Sequence, residues 1–553
     1  MQRKPGLWMG AFIGGLLMIP VIALSFLGQQ LAGFPFIPSI LFAFGRDNAP
    51  GELVPRIIQV MSNTIISLNI GRVDVVAKQV EFVIEWTTLL ILGIIAGAIF
   101  FAVMRRMQKP ANESFPGIGL GLIVAVIVLG MMATLPYLGS ADPAVSIVWI
   151  AILLIGWGMA VGSVYNTLAY RTAAPQEAQA SAQVIDRRQF LVRVGAASAT
   201  LTVVGAGLGA LLNQRDEDII QPLAQPDATP SVEMASLPNA DDPVIPAPGT
   251  RLEVTPLEDH YRIDITTVPP RIEPEGYVLP FTTALTEDGS VRTIAELTLD
   301  DIRSYPSRQD YITMSCISNP VGGSLISTIK WTGVSMQTLL ADIDIPENAT
   351  HIKITAADGF DETVALSVIE EDERVMLAYE WEDQPLTVEH GFPLRIHIPN
   401  RYGMKQPKWI TGMEFISGDQ DGYWVRRGWD KEALALATAV VDTVATDAMY
   451  ENENGEMVIP VGGIAWAGDR GISRVQVSVD DGEWVDAQVR SPISDRTWQI
   501  WRYDWVFSEG THTFRVRCVD GNGSAQIERA QGTFPSGATG IDSARAVIES
   551  TNA

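Results

Sequence analysis

The stretch Glu389-His390-Gly391-Phe392-Pro393-Leu394-Arg395, continued by Pro399-Asn400-Arg401-Tyr402-Gly403-Met404-Lys405-Gln406-Pro407-Lys408-Trp409-Ile410, decides how the second half of the chain is read. Arg395, Lys405 and Lys408 supply positive charge and hydrogen-bond donors in a fixed array, with His390 beside them. Gly391 and Gly403 would let backbone come close to a ligand. Taken singly, each basic residue reads equally well as a solvated strand end. The joint pattern points to a binding site. The run Leu394–Pro399 inside it reads as a strand, as do Tyr311–Ser315 and His351–Thr355, with a helical stretch at Ser335–Ile343. No regular strand–helix repeat and no glycine-rich phosphate loop accompanies them, so residues 255–425 are expected to form an α+β domain.

Upstream, Cys316 stands in Tyr311-Ile312-Thr313-Met314-Ser315-Cys316-Ile317-Ser318-Asn319-Pro320-Val321-Gly322-Gly323, where a strand gives way to a Gly/Pro loop. A lone cysteine is most often a small buried apolar residue. At a strand-to-loop edge a thiolate can instead reach a ligand, as a soft metal donor or as a nucleophile paired with histidine through the fold. The only other cysteine is Cys518, so a single disulfide is conceivable but a disulfide framework or a four-cysteine zinc site is not. Downstream, residues 435–535 alternate. Ile472–Val479 is followed by a turn at Asp481-Gly482 and by Trp484–Val489, then by Trp498–Phe507 and Thr511–Val519. Turns at this spacing predict an Ig-like β-sandwich in which Cys518 shares a buried face with Val516 and Phe514. Residues 536–553 are polar and are expected to be a flexible tail.

The first half is of a different kind. Five apolar stretches, Leu7–Gly28, Trp86–Met104, Gly117–Leu135, Ala144–Tyr165 and Val194–Asn213, contain no Lys, Arg, Asp or Glu, and each has about the 20 residues a membrane-crossing helix needs. Residues 1–213 are therefore expected to be an α-helical transmembrane bundle of about five spans. Arg3 and Lys4, Arg105, Arg106 and Lys109, and Arg171, Arg187, Arg188 and Arg193 all fall on one side if the spans alternate. The positive-inside rule makes that side cytoplasmic and puts everything after Asn213 outside. The loop at 29–83 then also lies outside and reads as an interfacial or re-entrant segment. Asp186-Arg187-Arg188-Gln189-Phe190-Leu191 before a Gly/Ala-rich run resembles a twin-arginine export signal, the route of folded cargo, although ordinary positive-inside arginines read the same way. No histidine precedes His260, which argues against a bundle carrying haem b. The Pro/Asp-rich stretch 214–254 reads as an extended linker. A formal net charge of -25 argues against a nucleic-acid partner.

The Cys316 loop with Asn319, the Lys330-Trp331-Thr332-Gly333-Val334 segment and the His390–Trp409 run together resemble the sulfite oxidase family of molybdopterin-dependent oxidoreductases, over roughly residues 255–535. His260-Tyr261-Arg262-Ile263-Asp264 resembles that family's first cofactor-contacting strand, and Ala356-Ala357-Asp358-Gly359-Phe360 a loop near the metal. The resemblance implies that Cys316 ligates molybdenum. It implies a pterin site drawn from Tyr261, Arg262, Asp264, Asn319, Asp358, His390, Arg395, Lys405 and Lys408. It further implies oxygen-atom transfer on a small sulfur oxyanion or sulfoxide, a separate redox partner (a cytochrome or a quinone-linked protein), and a homodimer through the C-terminal domain. One departure bears on substrate. Where sulfite oxidases carry an arginine just after the ligand cysteine, this chain has Asn319-Pro320-Val321, and Arg262 has neighbours that do not match the family pattern. The rival from another class is a membrane receptor or assembly module with a degenerate cofactor fold, and Cys316 with the basic array argues against it. A transporter is disfavoured because the spans lack charge.

Overall fold

The computed structural model describes residues 4–50, 53–68, 70–107, 114–135, 141–170, 187–220, 237–286 and 290–548; for 187–188 and 211–220 only the backbone is described. Arg3, Lys109, Arg171, Asp186, much of the linker and the end of the tail lie outside the described residues, as do the Arg187 and Arg188 side chains. The chain divides into two compact units, Met1–Ala49 with Lys78–Pro222 and Ile265–Arg271, and Pro50–Ala77 with Leu223–Asp264 and Ile272–Ala553.

In chain order the long helices are α1 (Leu7–Ala32), α2 (Ile37–Asp47), α3 (Leu53–Leu68), α4 (Val73–Arg106), α5 (Phe115–Met132), α6 (Pro143–Tyr170) and α7 (Arg187–Ile220). Five of them, α1, α4, α5, α6 and α7, contain segments long and apolar enough to cross a membrane. The segment at 29–83, expected to be interfacial or re-entrant, is helical over α2, α3 and the head of α4. Gly33, with φ of 66°, ends α1 in the left-handed conformation, and Pro38 sits in the first turn of α2. Helix α4 begins 13 residues before its apolar stretch does, because charge interrupts hydropathy without interrupting a helix. Lys78 and Glu81, an i,i+3 pair 2.9 Å apart, belong to this polar head.

Within the helical unit the tight contacts are made by glycine. Gly10 and Gly14 of α1 face Gly93 and Gly97 of α4, and a Cβ added at Gly10, Gly14 or Gly97 would fall on the opposing backbone. Gly117 and Gly121 of α5 meet Gly158 and Gly162 of α6 in the same manner. Each pair has the four-residue spacing that lets two backbones approach. Trp157 adds a bond from its indole Nε1 to the Gly14 carbonyl at 3.1 Å, and Ser198 Oγ donates to the Leu16 carbonyl at 2.7 Å.

The second unit is built on four sheets. Its first part contains β1 (Val278–Thr283), β2 (Arg292–Thr298), β3 (Ser307–Ser315), β4 (Ile326–Ser335), β5 (His351–Ala356), β6 (Asp361–Ala365), β7 (Met376–Trp381), β8 (Gln384–Pro385), β9 (Arg395–His397) and β10 (Ile410–Ile416). They form a sheet ordered β2-β1-β10-β5-β6, in which only β1 and β10 run parallel, and a sheet β3-β4-β7-β8 with β9 added to β7. Helices α8 (Leu299–Ser304), α9 (Met336–Leu340) and α10 (Leu366–Glu371) close the apolar core shared by the two sheets. Helix α9 is shorter than the Ser335–Ile343 expected. Residues 260–264 are not a strand; they run as irregular chain, paired in no sheet.

The second part contains β11 (Thr438–Val444), β12 (Tyr450–Glu451), β13 (Met457–Trp466), β14 (Ile472–Val479), β15 (Val485–Asp486), β16 (Gln488–Val489), β17 (Gln499–Val506), β18 (Gly510–Asp520) and β19 (Asp542–Ile548). Two antiparallel sheets, β11-β13-β17-β16 and β15-β14-β18-β19, enclose a core of Ile459, Val461, Val475, Val477, Trp501, Phe514 and Val516. Cys518 is buried on the Phe514/Val516 face of β18, as its alternation predicts, and both cysteines are free thiols. Residues 542–548 correct the flexible-tail expectation: they pair antiparallel with β18 from Gly510 to Val516. The segment looks polar because only its inner face, ending in Ile548, needs to be apolar on an edge strand.

A candidate cofactor site on one sheet

The β3-β4-β7 sheet is the platform of the site. Strands β3 and β4 pair without interruption from Ser307↔Val334 to Ser315↔Ile326, and the Cys316 N–H extends the ladder to the Leu325 carbonyl at 2.9 Å. Cys316 is thereby fixed as the first residue past the strand, buried, with Sγ 3.0 Å from Ser318 Oγ. Asn319 closes the loop, its side-chain oxygen accepting from the Leu325 N–H at 2.9 Å, so its amide oxygen serves the loop itself. Across the sheet Trp331 of β4 lies opposite Trp381 of β7, and β9 sets Arg395 opposite Ala378.

The side chains that gather on this platform are cationic and aromatic. The Arg395 guanidinium is 5% exposed and donates to the His390 carbonyl at 3.0 Å; it stands 4.8 Å from the Trp331 ring centroid. Among the described residues no carboxylate pairs with it. His260 and His390 lie with ring centroids 5.0 Å apart, and Trp381 is 4.7 Å from His390. Lys408 donates to Asp264 at 3.1 Å and to the Glu389 carbonyl at 2.9 Å, and Arg262 Nε donates to the same Asp264 oxygen at 2.8 Å. Enclosure, then the neighbouring cations, holds both histidines well below their usual range, so both rings are neutral at pH 7. Burial likewise lowers Arg395 to about 10 and shifts Lys408 downward.

Burial pushes the Cys316 thiol up. Its Sγ is partnered by Ser318 Oγ, and among the described residues no histidine hydrogen-bonds to it as a Cys–His nucleophile would require. A buried thiol with raised pKa becomes a thiolate when a metal cation binds it. Among the described residues no group of three or more His, Cys, Asp or Glu side chains is arranged to hold a metal ion, so further donors at Cys316 would have to come from a cofactor. The donor set suits one: Arg395 lacks an anion, and the buried indole Nε1 atoms of Trp331 and Trp381 have no hydrogen-bond partner among the described residues. An anionic, acceptor-rich ligand such as a pterin phosphate matches those groups.

The remaining expected residues are distributed unevenly. Tyr261 is buried near Cys316, its phenol pushed up by burial. Asp358 accepts from the Phe360 N–H at 3.0 Å and so shapes its own turn. Lys405 is drawn away, its Nζ 2.7 Å from Glu362 Oε1 in a pair whose side chains are 7% and 1% exposed. Gly391 and Gly403 are needed for protein contacts. At φ of 111°, a Cβ on Gly391 would stand 3.2 Å from Arg395 Cβ and 3.1 Å from Lys408 Cβ, and one on Gly403 would stand 3.0 Å from the Tyr261 hydroxyl. The two glycines bring site side chains together. Sequence reasoning missed Trp381 and left His260 out of the site; Trp331 was visible only as part of a segment, and nothing local marks Trp381 as its cross-strand partner.

Comparison with known proteins points to the same cofactor class. Residues 267–424 match the family described as oxidoreductase molybdopterin binding domain. The mitochondrial sulfite oxidase of Mus musculus is 26% identical over 334 residues, covering 50% of this chain and 60% of that protein. Sulfite oxidase of Arabidopsis thaliana is 26% identical over 337 residues, covering 51% of this chain and 84% of the plant protein. Less than two thirds of the mouse protein is thus spanned. Among solved structures, the sulfane dehydrogenase SoxCD from Paracoccus pantotrophus aligns at 19% identity and a TM-score of 0.42, covering 50% of this chain and 77% of that one. Residues 267–424, which hold the Cys316 loop and the cationic platform, are thus a molybdopterin binding domain similar to that of the sulfite oxidases.

Proposed function

We propose that the chain is a membrane-anchored oxidoreductase that moves an oxygen atom between water and a small sulfur compound, with its catalytic domain on the extracytoplasmic side. The observation that carries this reading is a buried thiol, Cys316, at the end of a strand, in the same buried cluster as the Trp331 and Trp381 indoles that lack acceptors among the described residues. The bound cofactor supplies two-electron oxygen-atom transfer. Cys316 is the metal ligand. Arg395, Lys408 and the Trp331 and Trp381 indoles hold the pterin, with Tyr261, Arg262, Asp264, Asn319, Asp358, His390 and Lys405 completing or supporting the pocket. His260 and His390, neutral and packed on Trp381, keep water from its aromatic wall.

Arg262, the candidate for the oxyanion, is tied to Asp264, and no arginine follows Cys316 directly. Arg251, which lines the cavity at the Cys316 loop, is likewise paired, with Asp442, so an uncharged sulfoxide suits the site better than sulfite. The five apolar helices anchor the domain, the arginine distribution puts the N-terminus in the cytoplasm, and Asp186–Leu191 acts as a twin-arginine signal. Electrons pass to or from a separate cytochrome or quinone-linked protein, and the C-terminal domain, Ig-like in this reading, pairs two copies.

The test is elemental analysis and turnover of protein purified from a molybdopterin-competent host. Near-stoichiometric molybdenum, with a dialkyl sulfoxide turned over faster than sulfite, is the expected outcome. Protein without molybdenum would sink the reading.

A further inference from the structure

Residues 61–68 and 70–77 belong to the compact unit that holds the site; in sequence they run from α3 into the head of α4, itself a membrane-length helix. Ile65 of α3, with Val73 and Ala77 at the head of α4, is buried in the same apolar cluster as Tyr261, Met314, Cys316 and Trp331. Polar bonds run alongside. Arg72 donates to both carboxylate oxygens of Asp74, at 3.0 and 3.3 Å, to the Glu258 carbonyl at 3.0 Å and to Asp259 at 2.9 Å. Asp74, 3% exposed, accepts the Arg262 backbone N–H at 3.0 Å. Arg262 then holds Asp264, and Asp264 holds Lys408. An alternating series of charges, Arg72, Asp74, Arg262, Asp264 and Lys408, thus runs from this segment into the cationic platform.

Residues 260–264 have no strand ladder to hold them. Among their anchors are His260 Nδ1 on Ser327 Oγ at 2.6 Å, Arg72 on the His260 carbonyl at 3.4 Å, the Asp264 pair, and Asp74. Irregular chain held by a few bonds opens locally far more readily than a laddered strand. The release of a ligand behind it is then governed by that opening.

We propose that residues 61–68 and 70–77 are a clasp that locks Tyr261–Asp264 against Lys408 and retains the molybdopterin, with Asp74 as its positioning residue. The proposal rests on the cofactor reading above.

The full-length protein in detergent provides the test. Molybdenum and pterin per chain are measured for the wild type, Asp74→Ala, Asp74→Asn and Arg72→Gln, and pterin release into filtrate is then followed with time, beside each variant's unfolding midpoint. Asp74→Ala should release pterin about tenfold faster than the wild type, an effect of the size expected when a buried charged acceptor is lost, with its unfolding midpoint near that of the wild type. Asp74→Asn, which keeps an acceptor for the Arg262 N–H, and Arg72→Gln should fall between. Release as slow as wild type in all three variants overturns the clasp. So does release that merely follows a fallen unfolding midpoint. Wild-type protein without molybdenum overturns the underlying reading, and the clasp with it.

Discussion

The helical unit and the sheet unit of this chain bury different things. In the first, close approach is made by glycine against backbone: Gly10, Gly14, Gly93 and Gly97 in one pair of helices, Gly117, Gly121, Gly158 and Gly162 in another. In the second, the buried surface around the site carries charge: Arg395, Lys405, Lys408, Asp264 and Glu362 are all nearly closed off from solvent. Composition explains the difference. Uniformly apolar helices gain contact where small residues let two backbones approach. The sheet unit has ample apolar burial and can tolerate buried charges, provided each one is matched. Arg395 is the unmatched one, and a site for an anionic cofactor is what such an exception means.

The contrast can be broken most severely at Cys316. Cys316→Ala should remove essentially all molybdenum and lower turnover by about a thousandfold or more, as losing a group that acts at the reacting centre does; retained metal by elemental analysis would contradict its assignment. Next comes the Lys405–Glu362 pair. Lys405→Met strands a buried carboxylate and should cost about 3–5 kcal/mol in denaturant unfolding, with much of it recovered in a Lys405→Met/Glu362→Gln double variant. A cofactor-binding role for Lys405 would show instead as pterin loss that the double variant does not repair.

Glycine can be tested in both units. Gly97→Leu pushes a side chain into the α1 backbone and should lower stability in detergent by about 1–3 kcal/mol while leaving metal content per folded chain unchanged. Gly391→Ala, strained at φ of 111° and crowding Arg395 and Lys408, should cost a similar amount, about 1–3 kcal/mol, but deplete pterin as well. Equal pterin content in the two variants would erase the distinction drawn here.

The smallest effect is one of pH. Burial holds His397 down to about 3, so the folded protein keeps it neutral while the unfolded chain binds a proton below about 6.5. Its contribution is complete above that pH and is lost as pH falls toward 3. From pH 6.5 to 5.5 the loss should be about 1 kcal/mol, flattened in His397→Gln and read from denaturant midpoints.

The sequence by itself determined the parts whose cause is local. Runs of apolar residues marked the five long helices, because hydropathy and a period of one residue suffice for that. Alternation marked β14 and β18, and Cys316 was legible at its strand end. The cation cluster near His390 was legible too, though not which cation would be taken by Glu362, since that pairing joins residues 43 apart. Tertiary structure alone decided the rest. It set Trp381 opposite Trp331 across two strands, gave Gly391 and Gly403 to side-chain packing, turned residues 542–548 into an edge strand, and carried Asp74 to Arg262, 188 positions away. Such pairings cannot be read along the chain: each depends on which elements the fold makes neighbours, and neither partner's own surroundings in sequence contain the other.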